Sequence, residues 1–371
     1  MRDEGGPLRI LHTEASLGWG GQEIRVLTEA RGVAKLGHDV TLAAPAEARI
    51  FSEAPRFGVH AVALPIGRKR PGGALALRRL LAGGRFDVVN THSSTDTWLA
   101  AVACATLSGA PPIVRTRHIS APLPANAATR WLYTRATDRI VTTGEKLRAQ
   151  VMRETAVDAA RVVSIPTGFD LARFRPGDRA SARAQTGLPV DAAIVGIVAT
   201  LRSWKGHRYL LEAIASMQRK DVEVVVVGDG PQREALEALA GQLGIAGRTR
   251  FAGNQSDVAP WMQSLDVFCL PSYANEGVPQ ALMQAMACGL PVVTTPVGSI
   301  EEIVSDGETG VLVAPEDVGQ LRAALERLLG DATLRAALGG RAADVARERF
   351  GEERMVERMV AVFREAVRAR G

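Results

Sequence analysis

Cysteine, aromatic side chains and long apolar runs are all scarce in this chain, and each shortage removes a class of protein. Cys104, Cys269 and Cys288 are the only cysteines in 371 residues. They are too few and too scattered for a disulfide framework or a cysteine-based zinc site. A reduced, cytosolic chain is the simplest expectation. The longest apolar stretch, Trp98 to Leu107, falls well short of the roughly 18–20 residues a membrane helix needs. The opening MRDEGGPLRI carries charge and lacks the apolar segment of a secretory signal. Aromatic residues make up 5% of the chain and none lies in the basic run 66–85. That argues against a base-stacking platform, and no nucleic-acid partner is expected.

What is present describes a globular protein. Hydrophobic residues are 46% and charged residues 23%, which excludes a disordered chain. At roughly 100–200 residues per domain the length predicts two domains. The net charge of +5 is unevenly spread. Residues 1–180 hold 25 Lys and Arg against 16 Asp and Glu, and the remainder holds 20 against 24. Arg68, Lys69, Arg70, Arg78, Arg79 and Arg85 crowd residues 66–85 without an acid. Such a run suits nucleic acid, anionic lipid or a phosphorylated substrate. A solvated helix face is the plain alternative.

Short β-branched runs alternate with helical patterns, as in βαβ units around parallel sheets. The first half predicts strands at Leu8–Thr13, Asp39–Ala44, Val59–Leu64, Asp87–Thr91, Pro112–Arg117, Arg139–Thr143 and Val162–Ile165. The second predicts them at Ala193–Ala199, Val222–Val227, Thr249–Ala252, Val267–Leu270, Pro291–Thr295 and Gly310–Val313. Helices are expected at Gly21–Leu36, Gly206–Met217, Pro231–Leu243, Pro279–Cys288, Asp317–Leu329 and Glu352–Arg368. The polar stretch Phe174 to Pro189, rich in Pro and Gly, is taken as the linker. The fold expectation is therefore α/β: two Rossmann-like domains, 1–175 and 176–351, facing across a cleft. The helix from about 352 to 371 would pack back on the first domain.

Three segments carry chemistry. Gly18-Trp19-Gly20-Gly21-Gln22-Glu23 follows the first strand and opens a helix; adjacent glycines there let backbone N–H groups approach an anion. It is not a dinucleotide fingerprint, and no acid ends the second strand, where Ala43-Ala44-Pro45 stands. Thr200-Leu201-Arg202-Ser203-Trp204-Lys205-Gly206-His207 places two cations past a strand end, able to flank a diphosphate. Pro271 to Pro279 joins a strand to a helix, with Glu276 at the helix mouth and Gln284 eight positions on. Eight helical steps span about 12 Å, the reach of one nucleotide-sized ligand.

Together the Glu276-Gly277-Val278-Pro279 run, Ala285-Met286-Ala287-Cys288-Gly289-Leu290-Pro291 and Ile303-Val304-Ser305-Asp306-Gly307-Glu308-Thr309-Gly310 resemble the group 1 glycosyltransferases, family 4 of the retaining GT-B enzymes. Gly20-Gly21-Gln22-Glu23 is similar to that family's N-terminal glycine loop, Lys205-Gly206 to its diphosphate-binding lysine, and Gly228-Asp229-Gly230-Pro231 to its second strand end. The resemblance implies a nucleotide-sugar donor held mainly by the second half, at Gly228, Gly277, Val278, Pro279 and Gln284, with Gly20 and Gly21 contributing from the first. It assigns Glu276 to the donor sugar's hydroxyls, Lys205 and Arg202 to the diphosphate, and His118 to the neighbourhood of the sugar. Three positions depart from the pattern: Gln284 replaces a glutamate, Thr200 stands at the usual arginine with Arg202 displaced from it, and Thr167-Gly168 replaces Asn-Gly.

The resemblance also implies retention of anomeric configuration. A departing nucleoside diphosphate needs cations and helix dipoles aimed at its phosphates. No Asp-x-Asp occurs in the chain, so no metal and no cofactor is expected. The leading acceptor is a sugar on a lipid-linked or lipopolysaccharide-type molecule, met at the inner face of an anionic membrane by a cytoplasmic, peripheral enzyme. A catalytically silent sugar-nucleotide binder of the same fold is the principal rival, and a nicotinamide oxidoreductase a lesser one.

Overall fold

A computed structural model describes residues 6–274 and 276–370. The chain forms two compact units. One runs to Gly168 and resumes at Glu352, and the other is Phe169–Gly351. In the first, β1 (Arg9–Thr13), α1 (Gly21–Lys35), β2 (Asp39–Ala44), α2 (Arg49–Glu53), β3 (His60–Ala63), α3 (Pro71–Gly84), β4 (Val88–Thr91) and α4 (Ser94–Ala105) succeed one another. Then come β5 (Ile113–Arg117), α5 (Ala127–Trp131), β6 (Arg139–Thr142), α6 (Glu145–Thr155) and β7 (Val162–Ser164). The second unit holds α7 (Arg179–Thr186), β8 (Ala193–Val198), α8 (His207–Ser216), β9 (Val222–Val227), α9 (Arg233–Gln242), β10 (Thr249–Gly253) and α10 (Ala259–Gln263). It continues with β11 (Val267–Leu270), α11 (Gln280–Ala287), β12 (Val292–Thr294), β13 (Val311–Leu312), α12 (Val318–Gly330) and α13 (Ala332–Arg349). Helix α14 (Glu352–Arg368) returns to the first.

Both sheets are wholly parallel. Their orders are β3-β2-β1-β4-β5-β6-β7 and β10-β9-β8-β11-β12-β13, the Rossmann order in which the chain reverses direction beside its first strand. Helices cover both faces, so alternate residues of one strand feed opposite layers. Ile10, Val88 and Val114 pack under α1 and α14, while Leu11, Val89 and Ile113 pack under α3 and α4. Helix α14 presents Met355, Val356, Met359, Val360, Phe363 and Ala366 inward at three- and four-residue intervals. It lies close enough to α1 that a Cβ on Gly32 would sit 2.4 Å from Val356.

Two expectations need correction. Residues 174–189 are not a linker, because α7 occupies their middle and packs on α10. Asp178 caps that helix by accepting from Ser181 N–H at 2.8 Å. Arg183 is buried against Asp266 at 2.8 Å and the Ser264 carbonyl at 2.9 Å. The boundary accordingly lies at Gly168/Phe169, not at 175/176. Phe169 N–H donates to Phe350 O at 3.0 Å, which fixes residue 169 to the second unit. The helices α3, α4, α6 and α13 were not among those expected.

Candidate functional site

In the second unit β8 and β11 are neighbours whose following helices depart in opposite directions. The ends of two such strands leave a crevice for a ligand. Two loops meet there, 199–206 after β8 and 271–279 after β11, and Tyr273 N–H donates to Trp204 O at 2.9 Å. Gly206 makes the approach possible. Its φ is +76°, and a Cβ on it would lie 1.9 Å from the Pro271 carbonyl oxygen.

This contact brings the predicted residues together. Lys205 Nζ donates to Glu276 Oε1 at 2.6 Å, and Ser272 Oγ donates to the same oxygen at 2.6 Å. The Glu276 side chain is 4% exposed and that of Lys205 20%. Ser299 N–H reaches Gly277 O at 3.2 Å, bracing the turn from the end of β12. Gly228, after β9, has φ +130°, and a Cβ there would meet Ala199 O at 2.1 Å. Leu201 N–H donates to Asp229 O at 3.0 Å, so the same loop is tied to β9 as well.

Helix α8 starts after Gly206 and α11 after Pro279, neither with a side-chain cap. Their first-turn N–H groups and positive dipole ends are therefore available to an anion. Val278 is buried in the turn, and Gln284 is 7% exposed within α11. Residues 276–279 are not helical, because α11 begins only at Gln280. Eight helical steps thus do not measure the distance from Glu276 to Gln284. Arg202 is exposed and its guanidinium lies 5.8 Å from the Trp204 ring centre.

His207 opens α8. Its ring is buried with neither nitrogen hydrogen-bonded. Burial, helped by the Lys205 charge, lowers its pKa to about 3.

The first unit gathers polar residues at the ends of β1, β4 and β5. His12 Nδ1 lies 3.0 Å from His92 Nε2, and His92 Nδ1 lies 3.1 Å from His118 Nε2. Burial holds all three rings neutral, His12 at about 3 and the others well below their usual value. Beneath them Asn90 Nδ2 donates to Glu29 Oε1 at 2.9 Å. Arg25 faces the other Glu29 oxygen at 3.7 Å. Burial, against that guanidinium, raises Glu29 to about 7.

Glu14, just past β1, accepts from Ser16 N–H at 2.8 Å and Gln22 Nε2 at 2.5 Å. Burial and the nearby Asp96 charge push it up to about 8. Asp96 caps α4 through Ser93 and also accepts from Thr13 Oγ1 at 2.8 Å. Gly20 is extended, with φ −176°, and Gly21 begins α1. A Cβ on Gly20 would lie 3.9 Å from a Glu23 oxygen. The glycine turn therefore opens beside the carboxyl groups of Glu14 and Glu23, with the Arg49 guanidinium over the ring of Trp19 at 5.1 Å.

Among the described residues, His12, Glu29 and His92 form the cluster with donor atoms close enough for a metal, within 4.8 Å of one another. A dication there would face Arg25, and both His92 nitrogens are already paired with other imidazoles. The cluster is better described as a hydrogen-bond network.

His12, Glu14, Glu29, His92 and Asp96 escaped the sequence reading. For His12, Glu14 and His92 the signal was the polar ending of strands whose beginnings are apolar, His12-Thr13-Glu14 and Asn90-Thr91-His92; Glu29 and Asp96 lie in helices and carried none.

The network gives stability a pH dependence of mixed sign. The unfolded chain protonates its histidines below about pH 6.5. The folded chain keeps His12, His92 and His118 neutral, so these three remove stability as pH falls from there. Glu14 and Glu29 act oppositely: the folded state keeps their protons up to about 8 and about 7, so stability declines as pH rises through the same range. Below about 4.5 only the histidines of this set oppose folding. The melting temperature should peak near pH 6 and fall on both sides, steeply below 4.5. A calorimetric profile that is flat from pH 4 to 8 would contradict this.

Residues 178–345 match the family Glycosyl transferases group 1, and residues 19–173 match Glycosyltransferase Family 4. The D-inositol 3-phosphate glycosyltransferase of Mycobacterium tuberculosis is 32% identical over 320 residues, which is 80% of this chain and 65% of that protein. The chain spans 53% to 65% of the length of the first curated relatives it matches. A glycosyltransferase from Rickettsia africae superposes with a TM-score of 0.87 at 18% identity, covering 97% of this chain and 99% of the other. Anabaena HepE, solved with UDP-glucose, gives 0.83 at 21% identity, covering 95% and 98%. These two structures share the fold.

Proposed function

Because the chain belongs to the group 1, family 4 glycosyltransferases of the GT-B fold, we propose that it transfers a sugar from a nucleotide diphosphate to an acceptor hydroxyl, with retention of configuration. The observation that carries this is the Lys205–Glu276 pair set beside two uncapped helix N-termini. The diphosphate lies along the α8 and α11 ends, where Lys205 and the first-turn N–H groups offset the charge that grows as the leaving group departs. Glu276, fixed by Ser272 and Lys205, accepts hydrogen bonds from hydroxyls of the transferred sugar. Arg202, exposed beside Lys205 in the same loop, supplements the phosphate contacts. His118 hydrogen-bonds a substrate hydroxyl. The sequence has no Asp-x-Asp to hold a metal at the phosphates, and these groups take over its role.

The acceptor carries phosphate. Lys69 Nζ donates to Ser94 Oγ at 3.2 Å, at the start of α4. Burial and the nearby Arg115 charge lower its pKa, and Arg115 keeps a buried nitrogen without a hydrogen bond. A phosphate would supply the missing counter-charge. Arg78 is instead tied to Thr106 Oγ1 at 3.1 Å. The relatives named for D-inositol 3-phosphate favour a small phosphorylated polyol. A lipid-linked or lipopolysaccharide-type acceptor, bearing phosphate at an anionic membrane surface, is the second arm of the test. No described helix is long and apolar enough to cross a membrane.

A panel of nucleotide sugars, read by thermal stabilisation and then by turnover on both acceptor types in EDTA, tests the proposal. A donor at 100 times its Kd adds about 2.7 kcal/mol to stability. Turnover that needs added Mg²⁺ or Mn²⁺ would refute metal independence. Stabilisation by a donor without turnover on any acceptor would favour the silent binder.

Gln284 is proposed as a working substitute for a carboxylate at the nucleotide ribose. Its amide keeps one acceptor oxygen and adds a donor. The lost charge assistance amounts to about 1 kcal/mol, several-fold in affinity. Gln284→Glu should change donor KM less than about tenfold, and Gln284→Ala should raise it further. A thousandfold gain in turnover for Gln284→Glu would mark the native site as impaired.

A further inference from the structure

We infer that Glu29, acting through His12 and His92, sets which nitrogen of His118 carries the proton, so that at alkaline pH His118 presents a bare Nδ1 to a substrate hydroxyl. This rests on the proposed role of His118. Its structural content stands without that role.

The three imidazoles form one continuous line: His118 Nε2 to His92 Nδ1 at 3.1 Å, then His92 Nε2 to His12 Nδ1 at 3.0 Å. The rings of His12 and His92 are nearly parallel, 9° apart. A neutral imidazole has one N–H and one lone pair. In a line of neutral rings all the N–H groups must therefore point the same way, or one junction holds two protons or none. The line has only two settings, and whatever sits at its inner end selects between them.

That inner end is His12 Nε2, which is buried and has no hydrogen-bond partner. Glu29 Oε2 is equally buried and also lacks one. One ring nitrogen each of His12 and His92 and one carboxylate oxygen of Glu29 lie within 4.8 Å of one another, so Glu29 stands beside the His12 ring, and we take a rotation of its carboxylate to bring the two unpartnered atoms together. An ionised Glu29 can only accept. It therefore draws the proton of His12 to Nε2, that of His92 to Nε2 and that of His118 to Nε2, leaving His118 Nδ1 bare. A protonated Glu29 can donate to His12 Nε2 and reverse all three rings, giving His118 an Nδ1–H. No proton is created or lost beyond the one that titrates Glu29.

The charged groups around the line are Glu29 and Arg25 from α1, with Arg358 of α14 acting on Arg25. Asp96 of α4 accepts from the backbone N–H of His92 at 2.9 Å. Phe363 of α14 closes the His12 side, its ring 6.1 Å away and edge-on. Arg25 donates to Ile165 O at 2.9 Å and Thr167 Oγ1 at 3.1 Å, so it stays anchored whichever way the rings point. Burial holds Glu29 near 7, which places the reversal in an accessible pH range.

Nitrogen-15 spectra of the full-length protein, labelled at its six histidines, read the tautomers directly, with His118 assigned through His118→Gln. At pH 8.5 His118 should show a pyridine-type Nδ1 and a pyrrole-type Nε2. On acidification through about pH 7 the two should exchange character, in step with His92 and His12. Glu29→Gln should lock the acid setting at every pH, because its oxygen can keep the Asn90 amide while its NH₂, in the place of Oε2, can only donate. An unchanged His118 tautomer from pH 6 to 8.5 in the native protein would overturn the inference, whether or not the variant folds. An unchanged tautomer in a folded Glu29→Gln would do the same. Tautomers that reverse in a chain turning over no donor would support the network while removing its catalytic purpose.

Discussion

Glu276→Ala should lower turnover by about a thousandfold while leaving donor affinity within about tenfold, because misplacing the transferred sugar raises the barrier itself. Lys205→Ala should lower turnover by about a hundredfold or more. Two losses then combine: the cation beside the proposed diphosphate, and the partner that holds Glu276 in place at 2.6 Å. Since the two side chains act as one unit, the double variant should be only slightly worse than Glu276→Ala. Steady-state kinetics with the correct donor measure all three. Strictly additive losses would mean that the two residues work independently and that their ion pair is incidental.

Gly206→Ala should be the most damaging small substitution in the second unit. The new Cβ would lie 1.9 Å from the Pro271 carbonyl oxygen at a backbone φ of +76°. The left-handed conformation alone costs about 1–2 kcal/mol for a non-glycine residue, and the overlap forces the two loops apart. A total of about 3 kcal/mol or more is expected, which lowers the melting temperature by about 6–12 °C for a unit of this size. Because Lys205 is adjacent, the same change should separate it from Glu276 and reduce turnover to the level of Lys205→Ala. The opposite control is Gly20→Ala, whose Cβ meets nothing closer than 3.9 Å and whose backbone is extended. It should leave stability unchanged, so any loss of activity there would report a ligand. Equal melting temperatures for Gly206→Ala and the native chain would show that the loops can part freely.

The sheets were legible because a parallel strand covered on both faces reads as an apolar run, and Val222–Val227 is a plain case. Helix α7 was hidden by its composition. Pro176, Gly177 and a string of arginines look like a linker, whereas the partners that fold them, Ser264 and Asp266, lie more than 80 residues away. Helix α13 was masked by Gly339 and Gly340. Gly339 is a packing residue, since its Cβ would lie 2.0 Å from Gly289 O.

The site divided in the same way. Lys205 and Glu276 are 71 positions apart, and nothing local in the sequence joins them; the family resemblance named them, and the meeting of the β8 and β11 ends explains why they touch. Arg202, three residues before Lys205, lies with its guanidinium over the Trp204 ring at 5.8 Å, a contact that its place in the sequence did not announce. The histidine line was out of reach. His12, His92 and His118 end three strands that neighbour one another only once the order β1-β4-β5 is known.

The most direct test of the central proposal is a proton-NMR time course of the intact protein with its preferred nucleotide sugar and a phosphorylated acceptor, in EDTA. Nucleoside diphosphate and glycoside should appear together, and the new anomeric proton should carry the configuration of the donor. Lys205→Ala and Glu276→Ala should each suppress both signals. A product of inverted configuration, or a donor that binds and is never consumed, would contradict the account.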